Sequence, residues 1–224
     1  MDASTARDFS RRLRAWFRRH HRDLPWRRTR DPYRILVSEL MLQQTQVSRV
    51  LEFYPRFLDR FPTVHHLAQA SPGHVREAWE GLGYYARARN LHALARHVTR
   101  DGGDGSLPAH PDALRALPGI GAYTAGAVAS FAYERRAAAV DTNVARVLTR
   151  AFAPRLDPKR PRDLTRLWGI AERVLPRTGT ATWVHNQALM ELGALVCTAR
   201  VARCGACPVR AACKTGRTFR RNSE

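Results

Sequence analysis

Apolar residues recur at helical spacing along most of the chain, at Ile35, Leu36, Leu40, Val47, Val50 and Leu51, then at Leu67, Val75 and Trp79, and again at Leu91, Leu94 and Val98. Alternation of the strand type is essentially missing, so the pattern predicts an all-α protein. Proline and glycine interrupt the pattern at Pro25, Pro32, Pro62, Pro72, Gly81, Gly83, the run 101–105, Pro108, Pro111, Pro118 and Pro176. These breaks divide it into about ten short helices. Ser71 before Pro72 reads as an N-cap followed by the first helical residue. The DGGDG run at 101–105 reads as a flexible surface loop, and the basic, proline-broken segment 154–162 as a solvated connection.

Composition narrows the class. The chain has 224 residues, 44% of them hydrophobic, enough to build a core and too many for a disordered protein. Lys and Arg number 38 against 19 Asp and Glu, a net charge of +19. That excess exceeds what solubility requires and points to a polyanionic partner, nucleic acid first among them. No apolar run reaches the roughly 20 residues of a membrane span, and the basic N-terminus lacks the apolar core of a signal peptide. The expected location is the cytoplasm, at the nucleoid.

All four cysteines, Cys197, Cys204, Cys207 and Cys213, lie close together near the C-terminus with the spacing C-x6-C-x2-C-x5-C. Thiolates so crowded share one metal centre, and a soft ligand set selects an iron–sulfur cluster or a structural zinc. Disulfides fit poorly, because the rest of the chain has no cysteine and a reducing compartment is expected. Most zinc sites use two C-x2-C-like pairs or mixed Cys/His ligands, and only Cys204 and Cys207 form such a pair. Spacing alone leaves both metals open.

The segment 117–128, LPGIGAYTAGAV, reads as a glycine turn running into a helix of small residues. Gly119 and Gly121 let the backbone take unusual dihedrals and approach a ligand closely, and the helix start offers N–H groups and a positive dipole end to a phosphate. A helix precedes it over residues 112–117, so the whole reads as a helix-hairpin-helix. Two carboxylates stand out. Glu39 lies in the apolar run ILVSELML, where burial would raise its pKa and keep it protonated as a general acid; a surface glutamate on an amphipathic helix is the alternative. Asp141 has the context of a helix N-cap.

LPGIGAYTAGAV followed by VDTNVARV at 140–147 resembles the hairpin and catalytic aspartate of the helix-hairpin-helix DNA glycosylases, and the cysteine spacing is similar to the cluster loop of their endonuclease III and MutY branches. LPWRRTRDPYRILVSELMLQQTQV at 24–47, GLGYYARARNL at 81–91 and HNQALMELGALVC at 185–197 resemble MutY-type adenine glycosylases. The resemblance covers nearly the whole chain and implies a two-lobed fold with a C-terminal 4Fe-4S cluster loop. One lobe, at 28–135, would carry six helices and the hairpin, and the other would join 1–27 to 136–224, with DNA in the cleft between them.

By this resemblance Glu39 protonates the adenine and later helps water attack, Asp141 stabilises the cationic sugar, and Asn143 holds the acid network. Leu24, Trp26, Arg27 and Gln187 match pocket positions, although Trp26 by itself is more often core. Gln44 and Tyr84 match residues that enter the duplex beside the extruded base, while Leu117, Gly119, Gly121 and Thr124 belong to the DNA-binding hairpin. Tyr123 stands where endonuclease III-type enzymes have a Schiff-base lysine, which implies base release without efficient strand cleavage. The cluster would act as a fold staple presenting Arg200, Arg203 and Arg210 to phosphate.

The expected partner is duplex DNA with a mispaired base, bound by a monomer. The chain stops soon after Cys213, without the 8-oxoguanine-reading domain of MutY-type enzymes. That compact length, with Tyr123 and the LPWRRTRDPY opening, is shared with the thymine glycosylases that act on G·T and G·U mismatches. Those enzymes are the alternative to adenine excision, and a non-catalytic DNA-binding cluster protein is a remote third.

Overall fold

The computed structural model describes residues 2–218, which are helical with no β-strand among them; the one bridge pairs Cys197 with Ala202. The helices are α1 (Ala3–His20), α2 (Pro32–Leu42), α3 (Val47–Arg60), α4 (Val64–Gln69), α5 (Pro72–Ala78), α6 (Ala86–Val98), α7 (Pro111–Arg115), α8 (Ala122–Tyr133), α9 (Thr142–Phe152), α10 (Pro161–Val174), α11 (Gly179–Leu195) and α12 (Lys214–Thr218). No helix among the described residues is long and apolar enough to cross a membrane. The chain divides into two compact units, Asp23–Tyr133 and Met1–Arg22 with Glu134–Glu224.

In the unit Asp23–Tyr133, helix starts are written locally. Asp31 accepts from Arg34 N at 3.1 Å with Pro32 in the first turn of α2, and Ser71 accepts from His74 N at 3.3 Å with Pro72 opening α5. Helix α3 is amphipathic and buries Val50, Tyr54 and Phe57. Helices α2 and α8 pack together, and their middles, apolar or small apart from Glu39, are buried on all sides, from Ile35 to Met41 and from Thr124 to Phe131. Trp79 is fully buried, with its ring edge-to-face on Phe57 at 5.6 Å.

The run 101–105 is not a free loop. A 3-10 turn at Arg100–Gly102 folds it back, Gly105 N donates to Val98 O at 3.3 Å, and the Asp104 carbonyl lies 3.0 Å from the His65 ring. Its glycines thus serve a tight reversal at the end of α6.

In the other unit, α11 packs on α1 and α9. The core is built from Phe9, Leu13, Val144, Leu148, Leu189 and Leu192. Several polar groups of α11 are buried and satisfied. Glu191 accepts from Arg22 N, Nε and Nη2 at 2.8–3.0 Å, and Asn186 Nδ2 donates to Ala137 O at 2.8 Å. His185 is only half satisfied: its Nδ1 meets Ser10 Oγ at 2.9 Å while its buried Nε2 has no partner among the described residues, and full burial drives its pKa down to about 3.

Candidate active site

Glu39 sits in the all-buried middle of α2 and is 4% exposed, which removes the reading of a surface glutamate. Its Oε2 accepts from the Tyr123 hydroxyl at 2.5 Å, at the short end for an O–H···O bond. Tyr123 lies in the first turn of α8, just beyond the hairpin turn between α7 and α8. In that turn Ile120 N donates to Leu117 O at 3.2 Å, and Ala125 N donates to Gly121 O at 3.0 Å as α8 begins. Only Gly119 has a positive φ, +74°, so the expectation that both hairpin glycines take unusual dihedrals holds for one of them. Gly121 contributes space instead: a Cβ built there meets nothing within 4 Å.

Thr124 is buried, 3.4 Å from Gln43 Nε2, so its side chain serves the helix pairing and leaves only its main chain for a phosphate. Leu117 is half-buried, and Gly119 and Gly121 are exposed. Of the proposed pocket residues in this unit, Leu24 and Trp26 are buried and Arg27 is half-buried. Trp26 packs edge-to-face on Tyr54 at 5.6 Å, the core role usual for a tryptophan. Gln44 and Tyr84 are both exposed, and both have left-handed backbone, at φ +56° and +47°. Tyr84 is 60% exposed, so it is not a packing aromatic.

The second constellation lies in the other unit. Asp141 caps α9: its Oδ1 accepts from Val144 N at 2.7 Å and its Oδ2 from Asn143 Nδ2 at 3.0 Å. Asn143 Oδ1 accepts from Arg146 Nη2 at 2.7 Å, and Arg146 also donates to Gly193 O and Cys197 O, both at 2.9 Å. A Cβ on Gly193 would come within 2.6 Å of Asn143 Cβ, so α9 and α11 approach as closely as they do only because position 193 has no side chain. Gln187 is buried on α11.

Burial raises the Asp141 pKa, opposed by the Val144 and Asn143 bonds and the Arg146 charge. A raised pKa means that this group supports folding below its unfolded pKa, about 3.9, and that the support is lost as pH rises through the folded value. Asp141→Asn cannot ionise. Its melting temperature relative to wild type should therefore move in the variant's favour as pH is raised, and thermal melts across that window test this. A gap that is flat or moves the other way would show that the fold stabilises the aspartate anion.

The cysteines are half-buried and none is in a disulfide. Among the described residues, no three His, Cys, Asp or Glu side chains are grouped to hold a single metal ion. The thiols nevertheless sense one another. Burial pushes Cys207 up to about 12, with Cys213, Cys197 and Cys204 adding to the shift, and Cys213 is raised by burial with contributions from Cys197 and Cys204. Bare thiolates are disfavoured there; four thiols near enough to affect one another are the soft donor type that a thiolate-ligated cluster would take. Arg150 ties this loop to α9, donating to Cys197 Sγ at 3.4 Å and to Thr198 O at 2.7 Å.

Sequence reasoning missed Arg146 and Arg150, which with Asn143 recur at helical spacing along α9. It also missed Arg87, which is 7% exposed. The available signal for Arg87 was position: it shares a face of α6 with Ala88, Leu91, Leu94 and Ala95, all buried.

The profile of the HhH-GPD superfamily of base excision DNA repair proteins matches residues 37–170. The adenine DNA glycosylase of Mycobacterium tuberculosis strain H37Rv is 49% identical over 201 residues, covering 88% of this chain and 64% of its own length. The adenine DNA glycosylase of Homo sapiens is 41% identical over 222 residues, covering 95% of this chain and 40% of its own. The chain thus spans less than two thirds of these relatives. A solved thermostable thymine-DNA glycosylase superposes with a TM-score of 0.86 at 30% identity, over 97% of this chain and 100% of its own. A non-covalent endonuclease III–DNA complex superposes with a TM-score of 0.79 at 23% identity, over 97% of each chain, and shares the fold. With an all-α fold, a hairpin leading into α8 and a profile match across most of the chain, this protein belongs to the HhH-GPD superfamily of base excision DNA repair proteins.

Proposed function

We propose that this chain is a DNA glycosylase that hydrolyses the N-glycosidic bond of a mispaired adenine in duplex DNA. The observation that carries the reading is the buried Glu39 carboxyl bonded to the Tyr123 hydroxyl beside the hairpin. Breaking a bond to a purine leaves an oxocarbenium-like sugar and a poor anionic leaving group, so the chemistry needs an acid at the base and a negative charge at the sugar. Glu39, oriented by Tyr123, delivers the proton to the base and afterwards takes one from the attacking water. Asp141, held by Val144 N and Asn143, supplies the charge that stabilises the sugar cation. Leu24, Arg27 and Gln187 shape the recognition of the base, and the net charge of +19 serves the phosphate backbone.

Cys197, Cys204, Cys207 and Cys213 would hold a 4Fe-4S cluster. When bound, it supplies a rigid structural core to the loop bearing Arg200, Arg203 and Arg210.

Adenine is favoured by the relatives at 49% and 41% identity, both named adenine DNA glycosylases. A second reading, release of thymine or uracil from G·T and G·U pairs, is favoured by the superposition on the whole of the thymine-DNA glycosylase. A panel of duplexes decides between them: A opposite G, C or 8-oxoguanine, and T or U opposite G, each followed by alkali to cut abasic sites. Release of A is expected; release of T or U without A overturns the first reading. Borohydride should trap little covalent adduct, because a phenol at position 123 cannot form the imine.

A further inference from the structure

We propose that Arg87 is a positioning residue, a clamp that holds Gln44 and Tyr84 together as one rigid wedge for entering the duplex when the target base is extruded. Its guanidinium lies between two loops. Nη1 donates to Leu40 O at 2.7 Å, Met41 O at 2.8 Å and Gln43 O at 2.6 Å, and Nη2 donates to Thr45 Oγ1 at 3.2 Å and to Leu82 O and Gly83 O at 3.1 Å. The Leu40 and Met41 carbonyls belong to the last turn of α2, where an α-helix leaves acceptors unpaired and where this helix has no basic residue of its own. Arg87, from the first turn of α6, supplies the missing donors and the positive charge.

The clamp brackets Gln44 and Tyr84, two of the left-handed non-glycine residues. Gln44, at φ +56°, lies between two of its acceptors, Gln43 O and Thr45 Oγ1. Tyr84, at φ +47°, follows the acceptors Leu82 O and Gly83 O, and its own carbonyl accepts from Arg87 N at 3.0 Å. The guanidinium also stacks between aromatic faces, with the Trp79 and Tyr84 ring centres each 5.5 Å from its carbon. Trp79 Nε1 braces the same loop through Gly83 O at 3.2 Å. Left-handed backbone at a glutamine and a tyrosine is sparsely populated and persists only where its surroundings impose it. Here one planar fork imposes it at both places, so the two side chains cannot relax independently. Lysine, a single rotatable ammonium, cannot span acceptors on both loops.

A base leaves its stack only if something fills or splits the gap, which calls for a stiff projection. An exposed tyrosine beside an exposed glutamine on rigid backbone meets that need. The inference rests on the reading that the chain acts on duplex DNA.

Arg87→Lys and Arg87→Met test it in three measurements. In free protein, amide hydrogen exchange should rise about tenfold or more in segments 43–46 and 82–86 together, with Leu91 and Leu94 in α6 unchanged. Fluorescence of 2-aminopurine placed next to the target base should rise with wild type and stay near the free-duplex level with the variants. Single-turnover release should fall about 10- to 100-fold on a fully stacked duplex and less than about threefold when the target base sits in an unpaired bubble, with duplex affinity near wild type. Equal slowing on both substrates, or exchange that rises in one segment only or across the whole unit, overturns the proposal. A wild-type chain that releases no base from any duplex defeats the functional reading instead, and the exchange measurement still decides the clamp.

Discussion

Glu39→Gln is expected to slow base release by between about a hundredfold and ten-thousandfold, the range contributed by a positioned acid–base group, while the melting temperature and duplex affinity stay near wild type. The two side chains have nearly the same volume, and the glutamine carbonyl can still accept from the Tyr123 hydroxyl, so the packing between α2 and α8 survives. What disappears is the ability to give a proton to the departing base and to take one from water. The carboxylate makes no phosphate contact in this scheme, so binding is spared. Single-turnover release with a saturating duplex, read beside a thermal melt and a binding isotherm, makes the test. Release within about threefold of wild type, well short of what a positioned acid–base group contributes, would remove Glu39 from the chemistry. A large loss of melting temperature would mean that its role is structural.

Gly119→Ala is expected to cost about 2–6 kcal/mol of stability, the sum of a left-handed alanine and a forced contact. Position 119 has φ +74°, and an ideal Cβ there would come within 2.4 Å of Asn90 Cβ, a contact that cannot form without moving α6 or the hairpin. Gly121→Ala makes the contrast. Its Cβ would project into open space, so stability should change by no more than about 0.5 kcal/mol. If that open face is where a phosphate meets the start of α8, Gly121→Ala should weaken duplex binding without lowering the melting temperature. Equal melting losses in the two variants would contradict this division between the glycines.

Much of this was legible because it is local. Ser71–Pro72 and Asp141 announce helix starts by chemistry that acts within a single turn, and the observed caps are those residues. The DGGDG run misled because glycine signals conformational freedom in the unfolded chain equally for a loose loop and for a tight reversal. Which of the two forms depends on partners brought by α6 and α4, the Val98 carbonyl that accepts from Gly105 N and the His65 ring that donates to the Asp104 carbonyl.

The sequence by itself determined the all-α class, the glycine turn running into a helix of small residues, the cap at Asp141 and the clustering of the four thiols, because composition, periodicity and spacing are properties of neighbouring residues. Whether Glu39 is buried or on the surface it left open. Tertiary structure alone decided which like residues differ. Arg87 and Arg89 stand two apart in one basic stretch, yet one is buried among carbonyls of two loops and the other is exposed. Tyr123 reaches Glu39 across 84 positions of chain, and Gly119 and Gly121 part company over a left-handed φ and a contact with the Asn90 side chain. The physical reason is the same in each case: a hydrogen-bond acceptor, a steric limit or a low-dielectric surround is supplied by helices distant in the chain, and packing is what delivers it.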